Sequence, residues 1–204
     1  MQPHKLTVND VFEKERRYTI PLYQRAYVWN REEQWEPLWE DIKRSAEACE
    51  IDPEETETKT HFLGAVVWSL SKIVGKAVPR ADVIDGQQQL TTLQIFLAAL
   101  RNFAREIEAD AADNAERWTI NKTKDKRSEE VFKVWPSNAD RATFRAVMEA
   151  ESLASLEALF PKDAGRAESR PRMVEAYIYF DQEIPDFAIQ SHLLFATNCF
   201  DHRR

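Results

Sequence analysis

Glycine and cysteine are both rare in this chain of 204 residues. Its four glycines argue against a loop-rich β-sandwich and favour a helix-rich fold. Its two cysteines, Cys49 and Cys199, lie far apart and lack the spacing of a metal site. We interpret them as ordinary thiols in a reducing compartment, because neither a disulfide framework nor a zinc motif is visible.

Several functional signatures are also missing. No apolar run approaches the roughly 20 residues that a membrane helix needs. The polar N-terminus does not resemble a signal peptide, so we expect a cytoplasmic protein with no membrane partner. Neither a Gly-x-x-x-x-Gly-Lys loop nor a Gly-x-Gly-x-x-Gly turn is present. Ser69 and Ser71 lack a neighbouring base pattern, which argues against a serine hydrolase, and the histidines show no metal-binding spacing.

Charge is distributed unevenly along the chain. The net charge of −7 argues against a surface that binds nucleic acid as a whole, but it leaves room for a local basic face. One basic cluster lies near the N-terminus and contains Arg16, Arg17, Arg25 and Arg31. A second basic run, at 122–127, is interpreted as a solvated loop.

The hydrophobic pattern predicts an α+β fold in which most of the chain is helical. Strands are expected at 18–20 and 81–84, and the apolar run 61–70 is expected to be a buried central strand. An acidic linker is expected at 52–57 and a hairpin-like connection at 72–80. Helices are expected at 6–12, 31–48 with Asn30 as N-cap, and 90–107. The second half predicts extended segments at 118–120 and 132–135, then helices at 140–149 capped by Asn138, at 152–160, at 172–184, and after Pro185.

The most informative segment is 83–93, with the sequence Val-Ile-Asp-Gly-Gln-Gln-Gln-Leu-Thr-Thr-Leu. A β-branched run ends at Asp85 and Gly86, where a sharp turn is permitted, and a helix pattern follows. A helix N-terminus presents unpaired N–H groups and a partial positive charge, which suit an anion. The Asp85 carboxylate suits a hard cation, and glutamine amides can both donate and accept. The segment predicts a turn that binds a phosphate-bearing ligand.

A second candidate segment runs from Tyr23 to Arg31. The guanidinium of Arg25 offers a planar fork of donors that suits phosphate or carboxylate. Tyr23, Tyr27 and Trp29 can stack on nucleic-acid bases, an interaction worth about 1–3 kcal/mol per base. The alternative is that alternate aromatics face a core while Arg25 pairs with a surface acid.

These segments together resemble the N-terminal domain family of GmrSD-type restriction endonucleases. The matching residues are Ile-Pro-Leu-Tyr-Gln-Arg-Ala-Tyr-Val-Trp at 20–29, Phe-Leu-Gly at 62–64, and the Asp85–Leu93 segment. Weaker matches follow in order at 136–144 and 169–180. The resemblance implies a ParB/sulfiredoxin-like small mixed sheet with flanking helices and a helical C-terminal extension. Residues 1–110 would form the nucleotide-binding core and residues 111–204 the mainly helical extension, packed on that core.

The resemblance also implies an activity. Members of the family bind and hydrolyse nucleoside triphosphates with Mg²⁺ or another divalent cation, and they serve prokaryotic defence against phage or foreign DNA, some by sensing modified DNA. The predicted catalytic residues are Asp85, Gln87, Gln88 and Arg25, with Asp85 as the metal ligand. The predicted nucleotide-binding residues are Tyr23, Gln24, Arg25, Gly86, Gln87, Gln88, Gln89, Thr91 and Thr92, and the predicted DNA contacts are Tyr27, Trp29 and Arg31.

Nothing in the chain resembles an HNH nuclease, which many family members carry after the helical part. We therefore expect any cutting activity to belong to a further segment or a separate subunit. The chain ends on an apolar helix, which suggests a fragment of a longer protein or a core that needs a partner. A monomer and a homo-oligomer both remain open.

One position departs from the family pattern, which usually reads Asp-Gly-Gln-Gln-Arg. Gln89 stands where the arginine is usual, so one positive charge is missing where a γ-phosphate would build negative charge. Losing one charge-assisted contact costs about 1.5–3 kcal/mol, enough to slow hydrolysis without abolishing binding. The sequence is thus consistent with a weak NTPase, with a nucleotide sensor that does not turn over, or with a non-catalytic module that recognises modified DNA.

Overall fold

The computed structural model describes residues 4–51, 62–71, 77–109, 111–162 and 170–191. The predicted acidic linker at 52–57, residues 72–76 of the predicted connection at 72–80, and the part beyond 191 of the helix predicted after Pro185 lie outside these ranges, as do His61 and Cys199. Within them the chain is a mixed α+β protein with seven α-helices and a four-stranded sheet. The predicted fold class is therefore confirmed.

The sheet is small and mixed. Its strands are β1 (Arg17–Thr19), β2 (Val67–Leu70), β3 (Arg80–Asp85) and β4 (Val134–Trp135), in the order β2-β3-β1-β4. β1 runs parallel to both β3 and β4, whereas β2 runs antiparallel to β3. The C-terminal ends of β1, β3 and β4 therefore share one edge with the N-terminal end of β2, and we call this the carboxyl edge.

Several helices begin directly after a residue whose side chain caps the first turn, and one begins after a glycine in the left-handed conformation. They are α1 (Val8–Phe12), α2 (Glu36–Ile51), α3 (Gln87–Glu106), α4 (Ala111–Thr119), α5 (Arg141–Glu149), α6 (Leu153–Leu159) and α7 (Arg172–Ser191). Thr7 and Ser152 form capping boxes before α1 and α6. Asn30 caps a π-helical turn (Arg31–Trp35) that leads into α2, with its Oδ1 accepting from the Glu33 N–H at 3.0 Å. The predicted N-cap is therefore confirmed.

Helix α3 forms the centre of the molecule. From Leu90 to Arg101 every one of its side chains is buried, as expected for a helix that is covered on all faces. The ring of Phe96 lies 6.1 Å from that of Trp39 and 5.4 Å from that of Phe180. Since these partners belong to α2 and α7, the predicted N-terminal core and the predicted extension share one hydrophobic core.

The apolar run at 61–70 is not a buried central strand, as the sequence predicted. β2 covers only Val67–Leu70 and pairs on one side alone, so it is an edge strand. Gly64 has a φ of +116°, so the extended backbone of β2 does not continue back through this residue. Phe62 and Leu70 are consequently 78% and 63% exposed. Strand-forming residue types did not reveal how many neighbours the strand would have.

Other predicted boundaries also need correction. Helix α3 begins at Gln87, three residues before the predicted start, so the glutamines form its first turn. Trp118 and Thr119 end α4 and are not extended. Asp140, and not Asn138, occupies the N-cap position of α5.

Helix α7 continues through Pro185, where a break was predicted. Proline removes one helical hydrogen bond, but Ile184 and Phe187 on either side of it are 0% and 7% exposed. Their burial offsets the lost bond and holds the helix together. No helix within the described ranges has both the length and the apolar character that a membrane crossing requires.

Candidate functional site

The sheet topology brings four chain segments together at the carboxyl edge. They are the segment after β1 (residues 21–28, here called the strap), the segment before β2 (62–66), the turn after β3 (85–86) and the segment after β4 (136–140). Because β3 lies between β1 and β2, the turn is flanked by the strap on one side and by 62–66 on the other. Ligands of open α/β sheets bind beyond the carboxyl ends of the strands. This edge is therefore the candidate site.

The turn between β3 and α3 requires glycine. Gly86 has a φ of +85°, in the left-handed region. A Cβ added there would lie 2.9 Å from Cγ2 of Val66 and 3.0 Å from the carbonyl oxygen of Ala65. The Asp85 carboxylate is exposed, and its Oδ1 accepts from the Gly86 N–H at 2.8 Å. Conformation and close packing together place an exposed carboxylate directly before a helix N-terminus.

The glutamines of the first turn of α3 bind backbone. Gln88 pairs with the strap as a neighbouring strand would, since its Oε1 accepts from the Val28 N–H at 2.9 Å and its Nε2 donates to the Ala26 carbonyl at 3.1 Å. Gln87 donates to the carbonyl oxygen of Arg25 at 3.3 Å. The two segments, about sixty residues apart in sequence, therefore meet.

Two further glutamines fix the neighbouring segments. Gln24 of the strap donates to the carbonyl oxygen of Ile84 at 2.9 Å. Gln89 donates to the carbonyl oxygen of Leu63, on the opposite side of the turn. Of the four amides, only Gln87 keeps a buried oxygen, its Oε1, without a hydrogen-bond partner among the described residues.

The middle of the strap is anchored in the protein interior. The N–H of Tyr27 donates to Oδ2 of Asp140 at 2.9 Å, and the Tyr27 hydroxyl lies 2.7 Å from Oγ1 of Thr92. The same hydroxyl accepts from Nε1 of Trp35 at 2.8 Å. Burial raises the pKa of the Tyr27 hydroxyl and also that of the Asp140 carboxyl. The strap is thus held from α3, from the π-helical turn and from the start of α5.

Three predicted site residues face the solvent at this edge. Asp85 and Arg25 are exposed, and Tyr23 is 80% exposed. Within the part of the chain that the structure describes, no hydrogen bond or ion pair engages the Arg25 guanidinium. The N-cap residue of α3, Gly86, has no side chain to bind the first-turn N–H groups. The edge therefore presents a carboxylate, a guanidinium and a helix N-terminus.

Other predicted site residues point inward. The hydroxyls of Thr91 and Thr92 donate to the carbonyl oxygens of Gln87 and Gln88 at 2.8 and 2.9 Å, and these threonines are 2% and 0% exposed. Threonine in a helix often bonds back to the preceding turn in this way. Their side chains do not reach a ligand at the surface, and Gln88 has both ends of its amide engaged.

The residues predicted to contact DNA do not form one surface. Tyr27 is 7% exposed, and Trp29 packs partly buried against the core. The Arg31 side chain is 58% exposed, but its guanidinium lies 4.9 Å from the ring centre of Tyr179 and 3.8 Å from a carboxylate oxygen of Glu183. Tyr27 and Trp29 therefore face the core, which is the alternative that the sequence left open for these aromatic residues.

Two residues of the edge were not predicted from the sequence. Asp140 lies within the weaker family match at 136–144, at the start of the helix predicted at 140–149. It occupies the N-cap position of α5 without capping that helix, and its carboxylate reaches the strap instead. Phe62 was assigned to a buried strand and is exposed. Only the pairing of the strands places both at the carboxyl edge.

A comparison with protein families agrees with this geometry. The family described as "GmrSD restriction endonuclease, N-terminal domain" matches residues 8–202, whereas no curated protein matches the chain. The match includes the strap, the turn and the segment after β4, and it confirms the resemblance seen in the sequence. Family membership indicates a part of a DNA-defence restriction protein, which acts on DNA together with a nuclease domain. The chain belongs to the family of GmrSD restriction endonuclease N-terminal domains.

Proposed function

We propose that this chain binds a nucleoside triphosphate at the N-terminus of α3 and hydrolyses it, as the regulatory part of its restriction system. The observation that carries the proposal is the joint exposure of Asp85 and Arg25 beside an uncapped helix N-terminus. A polyphosphate with a bound cation has the complementary charges. Family membership supports the same assignment.

The phosphates are best accommodated at the first turn of α3. The N–H groups of Gln87, Gln88 and Gln89 point out of the helix end, where the helix dipole favours negative charge. Arg25 supplies an exposed positive charge from the strap. Gln87 holds the Arg25 backbone through its bond to the Arg25 carbonyl, which keeps this residue beside the first turn of α3.

Asp85 is the residue that would hold a divalent cation. Oδ1 already accepts from the Gly86 N–H, which leaves Oδ2 directed to other ligands. No three His, Cys, Asp or Glu side chains gather into a metal site within the described ranges. This fits Mg²⁺, which commonly uses one or two carboxylates and completes its coordination with phosphate oxygens and water. The cation would neutralise charge on the phosphates.

Hydrolysis requires a water molecule that attacks the γ-phosphorus in line with the bond to the β–γ bridging oxygen. That bond breaks, and the products are a nucleoside diphosphate, inorganic phosphate and a proton released to solvent. Of the two glutamines predicted to be catalytic, Gln87 keeps an acceptor without a hydrogen-bond partner, Oε1, which is buried and must turn outward to meet the water. Gln88 has none, because its amide is bound to Val28 and Ala26. Gln87 is therefore our candidate for orienting the water, and Gln88 for positioning the strap.

The proposed hydrolysis is slow. Gln89 provides no positive charge, and its amide is engaged by the carbonyl of Leu63. Arg25 is then the single cationic side chain offered by the strap and the first turn of α3. Slow turnover suits a domain that reports on nucleotide state to a nuclease.

The test is phosphate release by the Asp85→Ala variant with Mg²⁺ and each of the four common nucleoside triphosphates. We expect turnover to fall by about 100-fold or more, because the metal ligand is lost, while the circular dichroism spectrum stays unchanged. Asp186→Ala is the matched control, since Asp186 is an exposed aspartate on α7. Unchanged turnover in Asp85→Ala would refute the assignment.

A non-catalytic module that recognises modified DNA is the alternative function. It receives less support, because Tyr27 and Trp29 pack inward and only Arg31 stays largely exposed. Titrating modified and unmodified duplex at two salt concentrations without nucleotide distinguishes the two. Equal affinity for both duplexes that disappears at higher salt would indicate non-specific phosphate contact and would eliminate this alternative.

A further inference from the structure

Exposed apolar side chains are concentrated around the proposed phosphate site. Tyr23 and Phe62 are 80% and 78% exposed, the largest values among the large hydrophobic residues described. Leu22 and Ile84, from the strap and from the end of β3, are 65% and 49% exposed. A group of neighbouring exposed apolar side chains on a protein surface often marks a binding site. The carboxyl edge therefore has a surface that polyphosphate alone does not explain.

The two aromatic residues lie on opposite sides of the turn. Tyr23 belongs to the strap that follows β1, and Phe62 begins the segment that precedes β2. β3 lies between these two strands, so the turn after β3 separates Tyr23 from Phe62. A phosphate at the first turn of α3 would have one aromatic residue on each side.

Both aromatic residues are attached to anchored backbone. The neighbour of Tyr23, Gln24, donates to the Ile84 carbonyl at 2.9 Å. The neighbour of Phe62, Leu63, accepts from the side chain of Gln89. Each exposed ring is therefore one residue from a hydrogen bond to the β3–α3 unit, which limits how far it can move from the phosphate site.

The glutamine amide nitrogens around the turn are already bonded to backbone carbonyls. Nε2 of Gln24, Gln88 and Gln89 donates to Ile84, Ala26 and Leu63, so these amides are turned toward the protein and not toward a base edge. Discriminating one base from another requires free donors and acceptors placed against its edge. Stacking on an aromatic face needs none of these and accepts every base.

We propose that Tyr23 and Phe62 form a nucleobase subsite that binds the base by stacking and does not read its edge. This inference rests on the proposed nucleotide site and specifies its ligand as a nucleoside triphosphate of any base. Adenine, guanine, cytosine and uracil nucleotides bind with similar affinity, and the base adds affinity over the triphosphate alone.

The test is isothermal titration calorimetry in the presence of Mg²⁺ with ATP, GTP, CTP, UTP and inorganic tripolyphosphate. The variants are Tyr23→Ala and Phe62→Ala, which remove exposed side chains and leave the core intact. Leu159→Ala is the matched control, because Leu159 is 68% exposed on α6. We expect Tyr23→Ala and Phe62→Ala to weaken all four nucleotides by about 5- to 100-fold, with tripolyphosphate affinity unchanged in every variant.

The possible failures can be told apart. If the wild-type chain binds tripolyphosphate as tightly as nucleotides, the base subsite is refuted while the phosphate site stands. A strong preference of the wild-type chain for one base would also overturn the proposal. If neither ligand binds the wild-type chain, the proposed function fails and the subsite with it. If the two variants lose affinity for a single-stranded oligonucleotide but keep nucleotide affinity, the rings bind DNA and the nucleotide subsite is refuted.

Discussion

Replacing Gln88 with alanine tests how the strap is held at the carboxyl edge. The substitution removes the 2.9 Å bond from the Val28 N–H and the 3.1 Å bond to the Ala26 carbonyl. A hydrogen bond contributes about 0.5–1.5 kcal/mol net. Ala26 and Val28 are exposed, so water can bond to their backbone groups after the substitution. Each lost hydrogen bond therefore costs about 1 kcal/mol. We therefore expect the free energy of unfolding to fall by about 2 kcal/mol.

Urea denaturation followed by circular dichroism measures this change. In a protein of this size the expected loss corresponds to a melting temperature lower by about 4–8 °C. Hydrogen exchange measured by mass spectrometry should rise in the peptide that contains the strap and stay unchanged in α6 and α7. Gln182→Ala is the matched control, because Gln182 is an exposed glutamine on α7, and its stability should change by less than about 0.5 kcal/mol.

The Gln88→Ala variant can also refute the role assigned to the Gln88 amide. If Gln88→Ala is as stable as the wild-type chain and strap exchange does not rise, the Gln88 amide does not hold residues 26–28. The assignment of Gln88 as a positioning residue would then be withdrawn. Destabilisation of the whole chain without a local rise in exchange would contradict the same assignment.

Three further predictions follow from single residues. Gly86→Ala should lower the free energy of unfolding by about 1–3 kcal/mol, since φ is +85° and the new Cβ would meet Val66; equal melting temperatures would contradict this. Burial lowers the pKa of Lys133 to about 8 from 10.5. Between these two pH values the unfolded chain binds more protons, so the free energy of unfolding should rise with pH by up to about 3 kcal/mol. Urea unfolding across that interval should lose this rise in Lys133→Met, and an unchanged slope would refute it. Gln89→Arg should increase phosphate release by about 10-fold or more; a rate equal to wild type would show that a charge at this position does not act on the phosphate.

The sequence identified the turn and its partner segment but not the way they meet. Asp85 and Gly86 were correctly placed at the end of a strand, because β-branched residues and an Asp-Gly pair are strong local signals. The contact between Gln88 and the strap could not be deduced, since it joins residues sixty positions apart. Glutamine amides gave the expectation of ligand binding, whereas most of them bind backbone.

Local sequence signals predicted some elements correctly and misplaced others. Asn30 was recognised as an N-cap from its own chemistry and position. The 61–70 run was assigned to the centre of the sheet, because its composition does not show that β2 has a neighbour on one side only. Pro185 was expected to end a helix, but the burial of Ile184 and Phe187 outweighs the lost hydrogen bond. Tertiary packing decided each of these outcomes.

The most direct measurement of the central claim is a ¹H–¹⁵N NMR titration of the chain with Mg²⁺ and a non-hydrolysable nucleoside triphosphate analogue. The account predicts that the largest shifts occur in the backbone amides of Gln87, Gln88 and Gln89, followed by those of the strap around Arg25. Amides of α6, which packs against α7, should not move. Shifts confined to α6 and α7, or no saturable shifts at the first turn of α3, would contradict it.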